Sequence, residues 1–155
     1  MIKNEVENKG VDERIFHSML TMLDNAPALR TLGIKAVYLG YGEVGLKMTA
    51  GKEYDNYRGV LHGGIVAALA DTAAGFAVQS LGIRCVTIEL NLNYCLPAVT
   101  QTEIFAEGYV IHQGRSTVVA EAALYNSSGK LICKSRGTFF PLPVKPIAAP
   151  QTGNP

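Results

Sequence analysis

Between Arg58 and Arg84 this chain carries one formally charged side chain, Asp71. The apolar run from Gly59 to Ile83 is long enough to cross a bilayer. Its Ala and Gly content and the polar groups of His62, Asp71, Thr72, Gln79 and Ser80 argue instead for a helix enclosed by protein on most sides. The rest of the chain must therefore wrap around it. A lone carboxylate among Ala, Leu and Phe is costly unless it is paired or used in chemistry. Directly ahead of the run stands a polar, glycine-rich turn, Asn56-Tyr57-Arg58-Gly59-Val60-Leu61-His62-Gly63-Gly64. Gly63 and Gly64 suit a helix start at which a ligand approaches the backbone. The first N–H groups of a helix lack intrahelical partners and sit at the positive end of its dipole, so they can hold a developing oxyanion. Free donors followed by one carboxylate outline an active site.

The flanking segments predict what does the wrapping. Residues 1–10 read as loose, and Val11 to Asn25 as an N-terminal helix, with Phe16, Met19, Leu20 and Leu23 at helical spacing and Pro27 beyond its end. Leu32 to Tyr41 and Val44 to Thr49 read as strands around a Gly-Glu turn, and 51–59 as a loop. Arg84 to Leu96 is the clearest strand. Val86, Ile88, Leu90, Leu92, Tyr94 and Leu96 alternate with Cys85, Thr87, Glu89, Asn91, Asn93 and Cys95, which places the two sets on opposite faces. Glu103 to His112, Ser116 to Tyr125 and Lys130 to Phe140 follow as strands, the last two joined by the hairpin turn Asn126-Ser127-Ser128-Gly129. Short connections predict that the last four strands form an antiparallel meander. The expected fold class is α+β, a long central helix wrapped by a curved antiparallel β-sheet, with an N-terminal helix. A single domain is expected over 1–143, with a Pro-rich tail over 144–155.

Composition narrows the partners. At 155 residues the chain can bury a core without disulfides or metal, and 17% charged residues is lean enough to predict surface covered by other subunits. A net charge of +1 offers no field for nucleic acid or membrane. The polar start Met1-Ile2-Lys3-Asn4-Glu5 does not read as a signal peptide, and no His/Cys/Asp spacing suggests a metal. The three cysteines read as reduced thiols of a cytoplasmic protein.

The pattern Asn56-x-x-Gly59-x-x-His62-Gly63-Gly64, then Asp71, then the strand Thr87-Ile-Glu-Leu-Asn-Leu-Asn-Tyr94-x-x-Pro97, resembles the hotdog-fold acyl-CoA thioesterases, in their PaaI-like subgroup. The resemblance covers about residues 31–140. It implies a homo-oligomer, dimer or tetramer, that hydrolyses an aromatic or medium-chain acyl-CoA without any cofactor, coenzyme A being part of the substrate. It also implies residue roles. Asp71 matches the catalytic carboxylate, acting as nucleophile or as base on a water. Gly63 matches the residue whose N–H polarises the thioester carbonyl, with Gly64 beside it against the substrate. Asn56 matches a residue that orients the water or the thioester. His62 matches a neighbouring polar contact, and Thr87 sits where the family often has Ser or Thr near the carboxylate. The phosphates of coenzyme A would need cations, for which Arg58, Arg84, Arg115, Lys134 and Arg136 are candidates.

Asp71 lies eight residues beyond Gly63, about 12 Å along a straight helix. A nucleophile must come within about 3–3.5 Å of the carbon whose oxygen the donor holds. If both groups serve one thioester, they come from different subunits, which predicts two sites per dimer. Structural roles stand beside the functional ones: a hydrogen-bonded helix carboxylate for Asp71, a helix-start contact for His62, a turn residue for Asn56 and a β-former for Thr87. Without chemistry, the same fold would serve as an acyl-CoA sensing module. A hotdog hydratase is disfavoured, because Asp55 and Asn56 are adjacent and His62 lies too far along for an Asp-x-Asn-x-x-His pattern.

Overall fold

A computed structural model describes residues 6–143 and shows the apolar run as one continuous helix, α3 (Gly63–Gln79). The tail expected over 144–155 lies outside the described residues. Before α3 come β1 (Glu7–Lys9), α1 (Glu13–Asn25), α2 (Pro27–Leu32), β2 (Lys35–Gly40) and β3 (Glu43–Thr49). After it come β4 (Cys85–Tyr94), β5 (Glu103–Gln113), β6 (Val118–Asn126) and β7 (Leu131–Pro141). The strands form a single sheet in the order β1-β2-β3-β5-β6-β7-β4, antiparallel except for the β1–β2 pair. Helix α3 packs against β3 to β7 and buries Val66, Leu69, Ala70, Ala73, Ala74, Phe76, Ala77 and Val78. Among the described residues no helix is long and apolar enough to cross a membrane.

Small residues let the sheet approach this helix closely. A Cβ on Gly108 of β5 would run into the carbonyl of Ala73, so the strand crosses the helix with its backbone against backbone. At the far end Ser80 is fully buried; its hydroxyl donates to the Ala77 carbonyl and accepts from the Gly42 N–H, both at 2.8 Å. That pair fixes the β2–β3 turn onto the end of α3. Phe16, Met19 and Leu23 of α1 join the same core, and Asp12 caps that helix by accepting from the Arg14 N–H.

Four expectations need correction. The segment read as loose contains β1, which pairs in parallel with β2. Pro27 opens a second short helix rather than merely following the first, in the position where proline's missing N–H costs nothing. The last four strands are not a meander, because β4 sits at the sheet edge beside β7. The connection after β4 is held away from a hairpin by its own partners: Ala98 accepts from the Leu61 N–H, and the Gln101 N–H donates to Ala50. The strict alternation along β4 also fails. The register against β7 shifts between Thr87 and Glu89, leaving Ile88 as the extra residue of a bulge. Thr87 therefore shares the helix-facing side with Leu90, Leu92 and Tyr94, while Val86, Glu89 and Asn91 point outward.

Candidate active site

The loop entering α3 uses its N–H groups one by one. Leu61 donates to Ala98, His62 to Tyr54, and Ile65 to His62, at 2.9 Å in each case. The Gly64 N–H is taken by Nδ1 of His62 at 2.9 Å, which makes His62 the side-chain cap of the helix. The Gly63 N–H has no acceptor among the described residues. It is a donor at the positive end of a 17-residue helix, facing a cleft of about 460 Å³ lined by Asn56, Arg58, Val66, Tyr94, Leu96 and Pro97 among others. The Gly63 carbonyl accepts from the Tyr94 hydroxyl at 2.9 Å, which ties the end of β4 to the helix start. Burial raises the Tyr94 pKa, and the neighbouring Cys133 adds to the effect, so the hydroxyl stays a donor.

Asn56 shapes this loop. Its Oδ1 accepts from the Arg58 N–H at 2.8 Å and from the Val60 N–H at 3.4 Å. With the oxygen turned inward, the side-chain NH₂ is the part left to meet a ligand. His62 is similarly committed at Nδ1, so its remaining polar atom is Nε2.

Asp71 sits two turns along α3, half-buried, in a second cleft of about 230 Å³ that shares no lining residue with the first. The Thr87 hydroxyl donates to its Oδ1 at 2.8 Å. Oδ2 has no partner among the described residues and is free to take a proton or attack. Cys85 lies on the same wall; burial first, and the Asp71 charge second, push its thiol up to about 11. The bulge at Ile88 produces this arrangement, since unbroken alternation would turn Thr87 away from the helix that Leu90 and Leu92 cover.

One chain therefore presents a free backbone donor in one cleft and a hydrogen-bonded carboxylate in another. A model of the thioesterase superfamily matches residues 58–133, the span from the helix-start loop to β7. Acyl-coenzyme A thioesterase 13 of Homo sapiens is 33% identical over 113 residues, covering 70% of this chain and 81% of that one. The chain belongs to the thioesterase superfamily. Among solved structures, the thioesterase matches Escherichia coli PaaI, a protein of the phenylacetic acid degradation operon, with a TM-score of 0.82 at 25% identity, over 86% of this chain and 97% of that one. A hypothetical thioesterase of Streptococcus pneumoniae, solved with coenzyme A, matches with a TM-score of 0.67 at 30% identity, over 70% and 87% of the two chains. These neighbours establish the hotdog fold, and the thioesterase is a thioester hydrolase.

The cations of the thioesterase are scattered. Arg58 borders the helix-start cleft, with its Nε donating to the Tyr57 hydroxyl at 3.1 Å. Arg84 stands next to α1 in a recess with Arg14 and Met22, and Arg115 is exposed in the β5–β6 turn. Arg136 is engaged on the outer face of the sheet, donating to Glu121 Oε1. Lys134 and Tyr109 hold the other oxygen of the same carboxylate. Hydrogen bonds from Lys134, Tyr109 and Arg136 together bring Glu121 down to about 2. Reasoning from the sequence missed Tyr94 as a clamp on the helix start; its place in the Tyr94-x-x-Pro97 strand end was the one available signal.

Proposed function

We propose that this thioesterase hydrolyses the thioester of an aromatic or medium-chain acyl-CoA, in sites built across a dimer interface. The observation that carries this is where each half-site is anchored. Asp71 is tied to the beginning of β4 through Thr87, and Gly63 to its end through Tyr94. Strand β4 is an edge strand, paired with β7 on one side only, and carries exposed Val86 and Ile88. A 10-residue edge left unpaired, with apolar side chains exposed on it, calls for a partner. Two copies of β4 paired antiparallel about a two-fold axis near Leu90–Asn91 would set the Thr87 end of one beside the Tyr94 end of the other. Asp71 then meets the partner subunit's Gly63, and the separation of about 12 Å along α3 no longer keeps the donor from the carboxylate.

In such a site the Gly63 N–H of one subunit polarises the thioester carbonyl. Asp71 of the other removes a proton from a water, whose oxygen bonds to the carbonyl carbon. The tetrahedral oxyanion stays on the Gly63 N–H until the C–S bond breaks and the thiolate of coenzyme A leaves with the electron pair. Asp71 can instead attack directly, forming an anhydride that water opens. Asn56 lines the cleft that holds the donor and His62 caps the helix next to it, so in this reading the Asn56 NH₂ and the His62 Nε2 orient the thioester or the water. Thr87 holds Asp71 in position. Arg58 borders the helix-start cleft and is the cation best placed for coenzyme A phosphates. Two dimers pairing through the outer sheet face at Glu89, Asn91 and Asn93 would complete a tetramer, and three free thiols fit a reducing, cytoplasmic location.

Release of free thiol from a panel of aromatic and aliphatic acyl-CoAs, with wild type and Asp71→Asn side by side, tests the assignment. Turnover that collapses in the variant is expected. Undiminished turnover in Asp71→Asn would remove the carboxylate from the mechanism, and binding without turnover by wild type would make the protein a sensing module.

A further inference from the structure

Gly75 lies in the interior of α3, one turn beyond Asp71, and its backbone does not require a glycine. It is absent from the residues with positive φ. Packing does not require it either, since an added Cβ would meet only the Phe139 ring, at an ordinary 3.5 Å. Gly108, by contrast, has no room for a side chain. Glycine is the poorest helix former apart from proline. A helix that carries one without a conformational or packing reason leaves space, and at position 75 that space is part of the Asp71 cleft.

The lining of this cleft mixes apolar and neutral polar side chains around the Asp71 carboxylate. Leu29 of α2, Phe76 and Phe139 are apolar, and Thr72, Thr87 and Gln79 are neutral. No cation lines it to balance phosphate. The helix-start cleft differs in holding a cation, Arg58, beside the exposed Tyr57, within a wall that is otherwise largely apolar (Val60, Leu61, Val66, Leu96, Pro97). A thioester whose carbonyl carbon is attacked by Asp71 would then extend its acyl part over Gly75 toward Leu29 and Gln79. We propose that the Asp71 cleft is the acyl pocket and that Gly75 is the specificity-determining residue that keeps it open for ring-sized or branched acyl groups. The proposal rests on Asp71 being at the reacting carbon.

The test uses ligands that are not hydrolysed, so that it does not depend on turnover. Binding of S-ethyl-CoA and S-phenethyl-CoA is measured by calorimetry on wild type, Gly75→Ala and Gly75→Leu. Wild type should favour the phenethyl ligand. The preference should fall about 10-fold in Gly75→Ala and further in Gly75→Leu, since even one methylene in a closed pocket discriminates by about 10- to 200-fold. Affinity for the ethyl ligand should hardly change. Gly75→Ala fits the available space and is expected to melt no lower than wild type, so it decides the outcome if the Leu variant misfolds. A phenethyl-to-ethyl ratio that is unchanged in Gly75→Ala, or that shows no preference in wild type, overturns the proposal. Hydrolysis by Asp71→Asn is measured separately. Persisting turnover there would refute the role of Asp71 while a shifted binding ratio still located the acyl pocket.

Discussion

Replacing Gly63 by proline would remove the proposed oxyanion donor while leaving the helix start intact. Gly63 is the first residue of α3, the position where proline is best tolerated, and its N–H makes no internal bond among the described residues. His62 already has φ −59° and ψ 132°, the extended backbone that proline requires of its predecessor. The Gly63 carbonyl that accepts from Tyr94 is kept. The expected loss in kcat is about 10²–10³, equivalent to about 2.7–4 kcal/mol, as for removal of one oxyanion-hole donor. Gly63→Ala is the control: it keeps the N–H, and its Cβ would lie 3.5 Å from the Tyr94 ring, an ordinary contact. Co-expression of Gly63→Pro with Asp71→Asn then asks where the two groups meet. In a mixed dimer with shared sites, one site combines the intact Gly63 of one chain with the intact Asp71 of the other, and the second site carries both defects. Random pairing should thus recover about a quarter of wild-type activity per chain. If donor and carboxylate serve a site within one chain, every site in the mixture keeps one defect and activity stays at the level of the single variants. That result would refute the argument from β4 and from the spacing along α3.

Thr87→Val removes the donor to Asp71 while keeping the side chain's volume. A hydrogen bond to a charged group contributes about 1.5–3 kcal/mol, so kcat should fall about 10- to 150-fold with little change in KM, and an unchanged kcat would make Thr87 a bystander. Ser80→Ala leaves the Gly42 N–H without its 2.8 Å partner against a buried site; thermal or urea unfolding should show a loss of about 1–3 kcal/mol, and unaltered stability would contradict the account of that turn. Glu121 is held down from 4.5 to about 2 by its bonds to Lys134, Tyr109 and Arg136. A depressed carboxylate contributes stability that is present above its unfolded pKa and lost as pH falls through the folded value. Wild type should therefore melt above Glu121→Gln at neutral pH, with the gap closing at about pH 2–3, and a gap that widens in acid would reverse the sign of the argument.

How far the sequence could be read depends on whether a local pattern was in control. The charge-free run with its single Asp71 is a one-dimensional signal, and α3 follows from it because burial on most sides leaves no place for charge. The edge position of β4 has no such signal. Short connections favour neighbours, but hydrogen bonds at Ala98 and Gln101, remote in sequence, carry the chain to another part of the sheet. The site divides in the same way. The helix-start donor follows from glycines in one turn, and Asp71 from its isolation, whereas Thr87 reaches Asp71 only through a bulge that breaks the alternation by which its strand was recognised. In a regular β4 the apolar set including Val86 and Ile88 would face the helix, and Thr87 would point away from it. The structure instead leaves Val86 and Ile88 exposed at 48% and 58% beside an unpaired edge. One inserted residue thus has two consequences, turning a hydroxyl onto the carboxylate and leaving apolar surface exposed at the sheet edge. Departures from a regular pattern tend to collect where function does, and under the proposed function this same departure serves both the carboxylate and the interface at which it would act.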